Sequence, residues 1–207
     1  MEWDELQHQA ARLMRQRKFD DAAALLTNAR DEARRRGDHS DAAYLGGLLA
    51  SCLMAHGRDD DALKAHVEAE ADEPSNPFLK LATANFLMNV MHRPVEALAR
   101  LAPAADALRE SSEHVLEGLL GTIYLALGRD DDAIAAFKSM TRPKLITNQP
   151  APSFDFYLVE ALVYRGELVD ECRSYLDLVA QRAATEGDEE TARRANGLIA
   201  RLDAASH

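Results

Sequence analysis

The sequence predicts an all-α protein, a solenoid of helical hairpins with about ten or eleven helices and a capping helix at its C-terminal end. Three observations carry that prediction. The six residues Gly57-Arg58-Asp59-Asp60-Asp61-Ala62 recur unchanged as Gly128-Arg129-Asp130-Asp131-Asp132-Ala133, 71 positions later. Midway between them lies Arg93-Pro94-Val95-Glu96-Ala97, whose alanine stands 35 residues after Ala62 and 36 before Ala133. A period in the mid-thirties is that of a two-helix unit repeated in tandem. Finally, 47% of the 207 residues are hydrophobic but only 6% are aromatic. That balance favours close-packed helices over sheet and supplies a core without a disulfide or metal staple.

The helical period is clearest between Val115 and Met140. Val115, Leu116, Leu119, Leu120, Ile123, Tyr124 and Leu127 follow three- and four-residue spacing and form one apolar stripe. Gly128 then ends the helix, because glycine reaches left-handed backbone angles without a steric penalty. Asp130, Asp131 and Asp132 open the next helix by placing negative charge at its positive N-terminal end. Ala133, Ile134, Phe137 and Met140 give that helix an inward face. Two such stripes joined by a short turn make an antiparallel helical hairpin.

The run Leu120-Gly121-x-x-Tyr124-x-x-x-Gly128-x-x-x-x-Ala133-x-x-x-Phe137 resembles the tetratricopeptide repeat (TPR) pattern. The resemblance implies that Gly121 and Ala133 are the small pair at a close helix crossing, with Tyr124 and Phe137 as the large residues beside it. Leu49, Ala50, Leu53, Gly57 and Ala62 match the same frame, and Pro74 stands at the terminating position. Asn85, Met88, His92, Ala97 and Leu101 match it loosely and lack the turn glycine, while Pro103 is expected to end the second helix of that unit. Ala10, Leu13, Arg17, Ala22 and Leu26 give a first repeat, and Val159, Leu162, Gly166, Glu171 and Tyr175 a degenerate fifth. The expectation is a single TPR-like domain over residues 1–207. Its repeats cover approximately 3–36, 40–74, 77–110, 113–141 and 153–185, with a capping helix at 188–205. Thr141 to Ser153 contains three prolines and breaks the rhythm, which reads as an insertion between hairpins.

Charge narrows the function classes. A net charge of −11 argues against nucleic acid or an anionic membrane as the principal partner. No run approaches the ~18 uninterrupted apolar residues that a membrane-spanning helix needs. The opening Met-Glu-Trp-Asp-Glu is acidic rather than leader-like, so a cytoplasmic location is expected. Cys52 and Cys172 have no neighbouring cysteine and no metal-ligand spacing, so both are expected as buried reduced thiols.

No catalytic or cofactor motif emerges. Consecutive aspartates on a helix start point in different directions and do not converge on one ion, so both triplets read as helix starts. The seven histidines form no metal pair, and His66, at the hairpin position of Phe137, reads as packing. Gly46-Gly47 lacks the Lys-Ser/Thr ending of a phosphate loop. A non-enzyme without a metal or cofactor is expected.

The TPR resemblance implies that the first helix of each repeat lines a concave groove. Carried over through the frame, the lining is Tyr44, Gly47, Ser51 and Met54, then Leu79, Ala82, Phe86 and Asn89, then Gly118, Thr122 and Leu125, and finally Phe156. Val115, Ser153, Glu160 and Val163 complete the frame. The set is small, apolar and almost uncharged, unlike the Lys/Asn/Arg clamp of TPR proteins that hold a terminal carboxylate. The implied function is an adaptor or chaperone that receives an apolar helix or extended segment of another protein. The alternative is a structural subunit of a larger complex, or a self-associating scaffold, that uses the convex face or terminal helices. A hetero-complex is favoured over an obligate homo-oligomer.

Overall fold

A computed structural model describes residues 3–141 and 153–205, with the side chains of residues 3–4 and 153–155 excluded. The proline-rich segment read as an insertion lies almost wholly outside these residues. All regular structure among the described residues is helical. In chain order the helices are α1 (Trp3–Arg15), α2 (Phe19–Arg36), α3 (His39–Ala55), α4 (Asp59–Asp72), α5 (Pro77–Asn89), α6 (Pro94–Leu101), α7 (Ala105–Ala126) and α8 (Asp130–Met140). After the undescribed segment come α9 (Ser153–Arg165), α10 (Val169–Glu186) and α11 (Glu189–Ala205). A 3-10 turn at Ala102–Ala104, containing Pro103, follows α6. The helix therefore stops where the missing amide of Pro103 predicts.

The chain forms two compact units, Met1–Ala107 and Leu108–His207, each with its own core. In the first, each helix packs on the next from α1 to α6, and the core is built from Leu6, Leu26, Leu45, Leu49, Cys52 and Leu53, joined by Phe86. In the second, α9, α10 and α11 pack on one another, and Phe137, Met140, Leu158, Leu162, Leu176 and Leu198 are buried together.

The repeated hexapeptide is the punctuation of these hairpins. Gly57 and Gly128 both take left-handed backbone angles, with φ 74° and 69°. In the first copy the Gly57 amide donates to the Met54 carbonyl and the Arg58 amide reaches back to Leu53, both at 2.9 Å. The second copy repeats the pair, with Gly128 to Leu125 at 3.1 Å and Arg129 to Tyr124 at 2.9 Å. These paired bonds satisfy carbonyls that a helix end leaves orphaned. The third hairpin has no glycine here, and His92 takes the left-handed angle instead, at φ 54°.

The arginine of each turn then reaches forward. Arg58 donates to Asp61 at 2.8 Å, Arg129 to Asp132 at 2.7 Å and Arg93 to Glu96 at 2.6 Å. In each case the acid lies three residues on, in the first turn of the following helix. The alanine after it (Ala62, Ala97 or Ala133) is fully buried. A side-chain carbon on Gly121 would stand 2.4 Å from Leu158, so the gap at Gly121 receives a residue of α9. The closest glycine approach in the first unit is unforeseen: a carbon on Gly46 would lie 2.8 Å from Cβ of Ala69 on α4.

Candidate functional site

The groove residues of the first unit lie on α3 and α5. Tyr44 is 50% exposed, and its hydroxyl accepts from Gln7 Nε2 at 2.9 Å, which ties it to α1. Met54, three turns on, is 42% exposed. Between them Gly47 is partly exposed, and a side-chain carbon built on it would meet no atom within 4 Å. Ser51 is exposed and turns its hydroxyl back onto the Gly47 carbonyl at 3.1 Å. The spacing 44, 47, 51, 54 is that of one helix face, so α3 presents two large apolar side chains flanking a low centre.

On α5, Ala82 is exposed, Leu79 and Asn89 are partly buried, and Asn89 donates to Asn85 at 2.5 Å. Phe86 departs from expectation. It is 3% exposed, belongs to the core, and its ring lies 5.2 Å from that of His66 on α4. It cannot touch a docked partner. The aromatic that α5 does offer to solvent is Phe78, which the groove frame had not singled out, at 47% exposure.

The second unit departs further from the frame. Gly118 is buried, with its carbonyl accepting from Thr122 at 3.0 Å, and Phe156 is 4% exposed beneath the Arg194 guanidinium at 4.7 Å. Thr122 is partly exposed, and Leu125 packs against the core of its unit. Val163 is buried and Glu160 binds Arg194 at 2.7 Å. The exposed aromatics of α9 are Tyr157 and Tyr164, each one residue beyond its framed position, and the Arg201 guanidinium sits 4.0 Å over the Tyr164 ring. The turn after α9 keeps the register of the other hairpins, with Gly166 bonded to Val163 at 3.2 Å and Glu167 to Leu162 at 3.0 Å, so it is the exposed face of α9 that lies one residue on.

Charge separates the helices of the first unit by position. α3 carries one Asp/Glu/Lys/Arg in 17 residues, Asp41, and α5 one in 13, Lys80. The intervening α2 and α4 carry eight in 18 and seven in 14. The charged helices are bound to each other: Arg34 forks onto Asp72 through two 2.8 Å bonds, and Arg30 donates to Glu68 at 2.7 Å. Arg100 reaches Glu70 at 3.1 Å. A cleft over α3, between α2 and α4, is lined by Asp20, Arg30, Arg58, Asp61, Lys64 and Glu68, so its charges offset one another.

The two thiols are held in unreactive states. Cys52 and Cys172 are free and buried. Burial raises both thiols, Cys172 to about 12, so neither is a thiolate at neutral pH. His114 is buried with Nδ1 3.4 Å from the Met140 carbonyl. Among the described residues no three His, Cys, Asp or Glu side chains are grouped to hold a metal ion, and no helix is long and apolar enough to cross a membrane. No protein-family model matches the chain, and no curated protein is significantly similar to it.

Proposed function

We propose that this chain is a TPR-like protein-interaction module, an adaptor or chaperone rather than an enzyme, whose first unit receives an apolar helix or extended segment of another protein on α3 and α5. The observation that carries the reading is the division of charge between alternate helices. α2 and α4 spend their charges on each other, whereas the exposed side of α3 keeps Tyr44 and Met54 in water with no charge from Ala42 to Ala55. An apolar face left open on a helix otherwise well buried is where a partner gains most by excluding water. The contact residues are Tyr44, Gly47, Ser51 and Met54, with Phe78 and Ala82 from α5. Phe86, Gly118 and Phe156 are withdrawn from the contact set because they are buried in their own units.

A photo-crosslinking residue tests this when placed at Ser51 or, as control, at Lys64, whose side chain is 75% exposed on the charged α4. In cells of the native host, adducts to another protein are expected from position 51 and not from 64. Adducts from 64 alone would transfer the interface to the charged helices and end the reading. Adducts only to a second copy of the chain would replace it with self-association.

A further inference from the structure

His66 is the one histidine set into the contact between α4 and α5. Its imidazole lies partly buried against the Phe86 ring, with centroids 5.2 Å apart and planes tilted by 44°. No carboxylate is paired with the ring, and burial alone perturbs it. α3 has no charged side chain after Asp41. The single charge of α5 is Lys80, a cation, whose ammonium donates to the Pro74 carbonyl at 2.7 Å. On α4 itself, Glu70, one turn on, is held by Arg100 through Oε2 while its buried Oε1 has no partner, and Glu68 is held by Arg30. Lys64 also lies near Glu68, at 4.0 Å.

We propose that the α4–α5 contact is an acid-sensitive latch: protonation of His66 loosens α5 from α4 and disturbs the α5 part of the apolar surface. Burial, with no charged neighbour offsetting it, holds the imidazole below its ordinary value. The sign follows. Above the ordinary histidine value, both folded and unfolded states are neutral and the contact has its full strength. As pH falls below that value the unfolded chain takes the proton first, and stability is lost until the folded pKa is passed. Phe86 couples this to the rest of the unit, because the ring that covers His66 also belongs to the first core. The latch itself does not depend on the docking reading. Only its consequence, weaker partner binding in acid, rests on it.

Amide hydrogen exchange on the full chain at pH 7.4 and 5.5, corrected for intrinsic rates, tests the latch in wild type and His66→Phe. That variant keeps an aromatic ring against Phe86 and removes the titration. In wild type, protection of α5 is expected to fall severalfold more than that of α2 on acidification, and in His66→Phe α5 should change no more than α2. An equal extra loss in the variant overturns the proposal, because the acid response then belongs to other groups. So does unchanged α5 protection in wild type. If the variant does not fold, an NMR titration of the wild-type imidazole decides: a value below the ordinary histidine range supports the latch, and one at or above it refutes it. Peptide-independent exchange data separate this outcome from the crosslinking result, which can fail while the latch holds.

Discussion

Gly46 and Gly47 are adjacent in sequence and face opposite demands. Gly46 lies where α3 crosses α4, and an added carbon would press on Ala69 at 2.8 Å. Both partners there are Cβ atoms fixed to backbone, so relief requires the helices to move apart. Gly46→Ala is expected to cost about 1–3 kcal/mol, as overpacked core sites do. Gly47 meets open space and merely gives up helix propensity, so Gly47→Ala is expected to stabilise by about 0.5–1 kcal/mol. Urea melts of the two variants should therefore shift in opposite directions. A third residue-scale case is His92, exposed and at φ 54° where the turns at Gly57, Gly128 and Gly166 carry glycine. His92→Gly relieves a left-handed strain of about 1 kcal/mol and should raise the urea midpoint.

At the scale of elements, the turns and helix starts were legible because their residue types are dictated by local backbone chemistry. Glycine at Gly57 and Gly128, arginine reaching three residues on, and alanine at Ala62 and Ala133 all act within one or two turns, so the sequence reports them directly. The burial face of α5 was not legible for an equally physical reason. Lys80 is its only charge and apolar residues surround the helix, so spacing alone does not distinguish Phe86, which faces the core, from Phe78, which faces water. The crossing of Gly121 with Leu158 was hidden because it joins residues of different hairpins, which a single-repeat pattern cannot pair. Nor does the repeat period reveal the ties between α2 and α4. The forked Arg34–Asp72 pair is partly exposed, with side chains 32% and 11% accessible, so water screens it. A double-mutant cycle with Arg34→Ala and Asp72→Ala is expected to give a coupling of about 1 kcal/mol, falling as salt is added. A coupling indistinguishable from zero at low salt would show that α2 and α4 are held by their apolar contacts alone.

For the molecule as a whole, the question is whether an apolar surface exists for stability or for a partner, and two residues 32 positions apart in sequence separate the answers. Met54 and Phe86 are both large apolar residues that the repeat frame assigns to the groove-lining face of a hairpin's first helix. The structure places one at 42% exposure and the other at 3%. Truncating Phe86 to alanine opens a cavity beneath His66 and is expected to cost about 3–5 kcal/mol, as buried phenylalanines do. Any loss of binding in that variant reports unfolding rather than contact. Met54→Glu instead introduces a charge into water in the free protein, where it should leave the melting temperature within about 1 °C, since exposed substitutions rarely exceed ±0.5 kcal/mol. Under a docked apolar segment the same carboxylate must be desolvated without a counter-charge on α3, which weakens binding sharply. Thermal melts and partner capture on the two variants therefore give opposite patterns: Phe86→Ala loses stability first, whereas Met54→Glu loses the partner at constant stability. If Met54→Glu keeps both, the exposed face of α3 is not the contact, and the apolar docking function falls with it.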